Sequence, residues 1–176
     1  MAIDIYRPDQ WRDFFMMVGA VAATLTGLIF VALSHNLKII TKDLTHRYRA
    51  IGAITNLTAV FMRCALVSMG EQSHQAVGAE LLIVSGIAGA IFINGYLRAA
   101  RSGKDTSPPS IFRTVGGSLC YVIEMIGATI FIFGSLWGLY TAAVAMVASF
   151  YFVITGAWLL VVGLPKEKNT LLKARG

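Results

Sequence analysis

A chain of 176 residues that is 56% hydrophobic and 14% charged, with a mean hydropathy of +0.68, has too few polar side chains to cover a water-soluble globule. Its length allows one domain at most. The net charge of +6 comes without the basic-aromatic arrays of a nucleic-acid-binding module, so the excess needs another explanation.

Residues 1–13 hold Asp4, Asp9 and Asp13 rather than a basic leader, so no cleaved signal peptide is expected and the first apolar helix is retained. Pro8 and Trp11 predict a short lead-in helix at the membrane surface. A bilayer core of ~30 Å needs about 20 apolar residues in helical form, and residues 14–34 supply a first such span with no charge in it. A basic loop follows, and residues 50–69 form a second span that carries Arg63. Residues 81–97 form a third, uncharged span after the polar segment 70–80. The stretch 100–110, with Gly103, Pro108 and Pro109, is the longest irregular segment expected. The last apolar block, Thr114 to Leu164, holds one charge, Glu124, and as a single helix would reach about 75 Å. It must therefore break, and the run from Gly134 to Tyr140 offers the place, with Gly138 able to take a turn and Trp137 and Tyr140 suited to the interface. This predicts spans near 115–137 and 141–163, then a basic tail over 165–176. The fold expected is all-α, a polytopic membrane bundle of about five transmembrane helices within residues 1–164.

Orientation follows from the basic residues. Loop 35–49 has Lys38, Lys42, Arg47 and Arg49; segment 98–113 has Arg98, Arg101, Lys104 and Arg113; the tail has Lys166, Lys168, Lys173 and Arg175. Five spans place these twelve of the fifteen basic residues on one side, and the positive-inside rule makes that side cytoplasmic, with the N-terminus outside. The same charges suit anionic lipid headgroups as partners and account for a pI near 9.6 without nucleic acid.

Small residues recur at spacing three or four in most spans: Gly19, Ala23 and Gly27 in the first, Gly86, Ala90 and Asn94 beside Ser85 and Gly89 in the third, Gly117, Cys120, Glu124 and Ala128 in the fourth, and Ala142, Ala145 and Ser149 in the fifth. Such stripes let helices approach closely in lipid, whether within one chain or between copies in a homo-oligomer. Cys64 and Cys120 are expected to pack as small apolar groups, because their depths differ by roughly 12 Å, beyond disulfide reach.

Charges inside a span are costly, which singles out Arg63 and Glu124. Measured from the inner ends of their helices they lie about 20 Å and 15 Å deep, an offset that an Arg side chain can bridge. Two readings stand side by side: a buried ion pair locking the second span to the fourth, and an ion or proton relay extended by Asn56 and Asn94. Thr24, Thr26 and Thr55 are expected to bond between helices. On the opposite face Glu71, His74 and Glu80 form a candidate pH-sensitive cluster, Glu71 and His74 being three residues apart. A metal site there lacks further ligands at matching depth, so no metal or cofactor is expected. His35 and His46 flank the first basic loop as ordinary surface residues. No nucleophile elbow, metalloprotease helix or phosphate loop occurs, and the chain is not expected to be an enzyme.

The run Leu25-Thr-Gly-Leu-Ile-Phe-Val-Ala-Leu-Ser-His-Asn-Leu37, together with Gln72-Ser-His-Gln-Ala-Val-Gly-Ala-Glu80, resembles a group of small, largely uncharacterised bacterial inner-membrane proteins. Some of these carry the label of modulators of a membrane-anchored protease. The resemblance implies a bacterial plasma membrane and a possible membrane-protein partner, and brings no site residue with it. The functions expected are therefore an oligomeric channel- or transporter-like protein passing an ion or proton, or a non-catalytic accessory or regulatory membrane protein.

Overall fold

The computed structural model describes residues 8–35, 44–69, 72–101 and 108–173, and all regular structure among them is helical. In chain order the helices are α1 (Pro8–His35), α2 (Leu44–Val67), α3 (His74–Arg101), α4 (Pro108–Ile132) and α5 (Leu136–Lys173). Each contains a stretch long and apolar enough to cross a membrane: Gln10–His35, Arg47–Val67, His74–Arg98, Thr114–Ile132 and Leu136–Trp158, with mean hydropathy between 1.6 and 2.2. Even the shortest, of 19 residues, rises about 28 Å, close to the thickness of a hydrocarbon core. Helices satisfy their own backbone polar groups, which lipid cannot do, and this is why such segments fold so uniformly. The architecture is that of a multi-pass membrane protein.

Helices α2, α3, α4 and α5 close into a ring in which each packs on the next and α5 returns to α2. Glycine contacts fix the directions: Gly52 meets Phe92 while Gly95 meets Tyr48, and Gly78 meets Ala128 and Ile132 while Gly89 meets Tyr121. Neighbours in the ring therefore run antiparallel. Helix α1 sits outside the ring against α2, touching α5 only slightly. Its membrane stretch is 22% buried against 50% for that of α2, so α2 is the central helix and α1 the peripheral one.

The core is built from Phe15, Leu57, Val60, Val77, Leu81, Phe131, Leu139 and Met146, whereas Leu28, Phe30, Ile83, Ile87, Val115 and Val144 are exposed. An apolar exterior of that extent is untenable in water and ordinary in lipid. Aromatic side chains mark one rim: Trp11 stacks edge-on against Tyr140 at 4.6 Å between ring centroids, and Phe133 and Trp137 are exposed beside them. These are the residues that a water–lipid interface favours.

Several boundaries differ from those read in the sequence. The lead-in at Pro8 is continuous with the first span, and α3 begins at His74, so most of the polar segment 70–80 is helical. Ser73 caps α3, its hydroxyl accepting from the Ala76 N–H at 3.2 Å. The last apolar block breaks within the expected run from Gly134 to Tyr140, but at its first residue, Gly134, and Gly138 does not make the turn. Gly134 has φ +86°, its N–H bonds to the Phe131 carbonyl at 2.9 Å, and the Ser135 N–H bonds to the Ile130 carbonyl at 3.4 Å. This 6→1 and 5→2 pair is a Schellman ending, which demands a residue tolerant of positive φ. Gly138 serves close approach instead. A Cβ on its partner Gly127 would lie 2.6 Å from the Gly138 carbonyl oxygen and 2.8 Å from the Ala142 nitrogen, so α4 and α5 touch backbone to backbone. Finally, α5 continues through Pro165 to Lys173, into the segment expected as a tail.

Candidate functional site: a buried polar core

The polar and charged residues buried among those described are Asn56, Arg63, Ser85, Glu124 and Ser149. They come from all four ring helices and converge on its axis. Arg63 lies one turn from the end of α2, and side chains on a helix tilt toward its N-terminus. The guanidinium consequently turns down into the bundle, where Nε donates to the Ala59 carbonyl on the preceding turn at 3.0 Å. Nη1 donates to the Ser85 hydroxyl at 3.1 Å and pairs with Glu124 Oε2. The Ser85 hydroxyl in turn donates to Glu124 Oε2 at 3.2 Å.

Arg63 and Glu124 are 1% and 3% exposed. Their helices, α2 and α4, stand diagonally across the ring with little or no backbone packing between them. The ion pair therefore spans the axis, with α3 contributing Ser85 from one side. Burial of each charge alone would cost several kcal/mol, so the two are tolerable only together. Phe15, Leu81, Leu139 and Met146 wall the pair off, leaving a cavity of about 10 Å³ that Ser85, Ala142 and Ala143 also line.

A second set lies two turns back from Arg63 toward the start of α2. The Ser149 hydroxyl faces Asn56 Oδ1 at 3.3 Å and bonds to its own Met146 carbonyl at 2.7 Å. Tyr121, one turn from Glu124, is buried and brings its hydroxyl close to the Asn56 side chain without a hydrogen bond of full geometry. Its ring rests against Gly89, at 3.4 Å from where a Cβ would stand, and against Phe92, at 5.7 Å between centroids. Polar groups thus run from the ion pair through Tyr121 to Asn56 and Ser149.

The other singled-out residues go elsewhere. Asn94 is exposed on α3 and donates to its own Ala90 carbonyl at 2.9 Å, so it does not extend the core. Thr24 and Thr26 bond within their own helix, to the Ala20 and Ala22 carbonyls at 2.9 Å and 2.7 Å, instead of between helices. All three are exposed or only partly buried, and each bonds to the carbonyl one turn back on its own helix. On the opposite rim Glu71 lies outside the described residues. His74 packs edge-on against Phe131 at 6.4 Å, while Glu80 accepts from Gln72 Nε2 at 3.2 Å. Six residues apart on one helix, His74 and Glu80 point to different sides, so they do not form a cluster. Among the described residues no three metal-ligating side chains come together. Cys64 and Cys120 are free and buried, Cys64 Sγ lying 3.9 Å from Met146 Sδ.

Ser85, Tyr121 and Ser149 are the members that sequence reasoning missed as participants. Ser85 and Ser149 read there as small packing residues, and Tyr121 carried no signal except its spacing of three from Glu124. Depth would have found Ser85, which lies about 16 Å along α3, level with the ion pair. Comparison with protein-family models, with curated proteins and with solved structures gives no match.

Proposed function

We propose that this multi-pass membrane protein is a non-catalytic accessory or regulatory component of a bacterial plasma membrane, acting through contact with other membrane proteins. The observation that supports this reading is that Arg63 and Glu124 neutralise each other on the ring axis, behind an apolar wall. A conduction path needs polar groups that continue to both surfaces. Asn94, which such a path would use, turns to lipid. The resemblance seen in the sequence directs the search for a partner to membrane-anchored proteases. The clustering of basic residues supports a cytoplasmic C-terminus and an outer N-terminus, with anionic headgroups against the basic side.

A second reading, relay of a proton or ion in an oligomer, is favoured by the line of polar groups from Glu124 through Tyr121 to Asn56 and Ser149. One experiment separates the two. Purified protein in liposomes, loaded with a pH-sensitive dye and placed under proton and alkali-cation gradients, is expected to leave the lipid's leak unchanged. A flux abolished by Glu124→Gln would overturn the accessory reading in favour of the relay. In parallel, crosslinking in native membranes is expected to yield a stoichiometric membrane-protein partner, and substituted cysteines at Ser102 and Ser73 are expected to label from opposite sides.

A further inference from the structure

We infer that the cavity beside the ion pair is a binding site for a single water molecule, which accepts a hydrogen bond from Arg63 Nη2 and donates one to Glu124 Oε1. The inference goes beyond the accessory reading and does not depend on it. Of the guanidinium nitrogens, Nε is taken by the Ala59 carbonyl and Nη1 by Ser85 and Glu124, while Nη2 has no hydrogen-bond partner among the described residues. Of the carboxylate oxygens, Oε2 receives both Arg63 and Ser85, while Oε1 has none. Both atoms are fully buried, so each carries the whole penalty of a lost solvent contact.

The same two residues, with Ser85, line the cavity of about 10 Å³. That is about the smallest volume that holds one water, for which roughly 10–15 Å³ is needed. The chemistry of the two orphans selects the ligand further. Nη2 is a donor that needs an acceptor, and Oε1 is an acceptor that needs a donor. A halide would satisfy the first alone, and an alkali cation the second alone. A hydroxyl compound satisfies both, and the volume admits no hydroxyl compound larger than water. With the Ser85 oxygen as a third neighbour, the site has the number of polar partners that buried waters ordinarily find. The water then gives Arg63 Nη2 and Glu124 Oε1 each a partner, so that four of the five guanidinium N–H donors and both carboxylate oxygens are bonded.

The test is a structure of the full chain in lipid, at a resolution that shows ordered water. The expected result is density for one water within hydrogen-bond distance of Arg63 Nη2 and Glu124 Oε1. A direct fork, with Nη2 on Oε1 and the cavity closed or filled by side-chain atoms, overturns the inference. Thermal unfolding supplies an independent reading through Ala143, which lines the cavity. Ala143→Ser brings a hydroxyl that can stand in for the water, whereas Ala143→Val brings methyl groups that displace it. Ala143→Val is expected to lower the Tm by more than Ala143→Ser does. A dry cavity would reverse the order, and a Tm raised by Ala143→Val also overturns the inference.

Discussion

Replacing Glu124 by Gln keeps the shape of the side chain and an oxygen for Ser85 and Arg63, but removes the carboxylate charge paired with the guanidinium. Arg63 is 1% exposed and cannot lose its proton, so the whole cost of an unpaired buried cation remains. Breaking a buried pair from one side costs about 3–5 kcal/mol, equivalent to roughly a hundred- to several-thousand-fold in the folded-to-unfolded ratio. Arg63→Gln is expected to cost less than Glu124→Gln, because a carboxyl group left alone can take up a proton and a guanidinium cannot shed one. The apolar double variant Arg63→Met with Glu124→Leu removes both charges and their desolvation together, and is expected to lie within about 2 kcal/mol of the native protein. Reversible unfolding in detergent micelles of the native protein, Arg63→Met, Glu124→Leu and their combination, analysed as a double-mutant cycle, measures the coupling directly. Single variants within about 0.5 kcal/mol of the native protein, or a double variant whose loss equals the sum of the singles, would refute the reasoning that the pair is a joint structural unit.

Gly127→Ala is expected to destabilise by at least about 1–3 kcal/mol, since its Cβ would meet backbone atoms at 2.6 Å and 2.8 Å. Gly27→Ala, where nothing lies within 4 Å, should change thermal stability by less than about 0.5 kcal/mol in the same assay. Gly134→Ala places a Cβ at φ +86° and should lower stability by about 1–2 kcal/mol, while Gly134→Asn, which tolerates that region better, should lose less. Asn56→Ala removes the partner of Ser149 inside the core and should cost about 1–3 kcal/mol, whereas Asn94→Leu on the lipid face should cost almost nothing; equal effects at the two positions would contradict the placement of either residue.

Much of the fold is legible in the sequence because lipid makes hydropathy and length nearly sufficient. Apolar runs near 20 residues must be helices, and five of them follow from adding up such runs. The partnership of Arg63 and Glu124 is legible as well, from depth alone, because buried charges need a counterpart at the same level in the membrane. The dividing point of the last apolar block is less so. Two glycines four residues apart look alike in the sequence, yet Gly134 ends a helix in the left-handed region while Gly138 lets two backbones touch.

What the sequence by itself determined is therefore how many helices cross the membrane and how deep each side chain lies. Only the tertiary structure decided how each helix is rotated about its axis, and with it which polar groups meet. Asn56 and Asn94 have the same chemistry and both lie inside apolar helices, yet one faces Ser149 in the core and the other faces lipid. A helix in lipid gains little from hydrophobic exclusion, so its rotation is set by close packing against particular neighbours, and those neighbours are known only once the ring of α2 to α5 has closed.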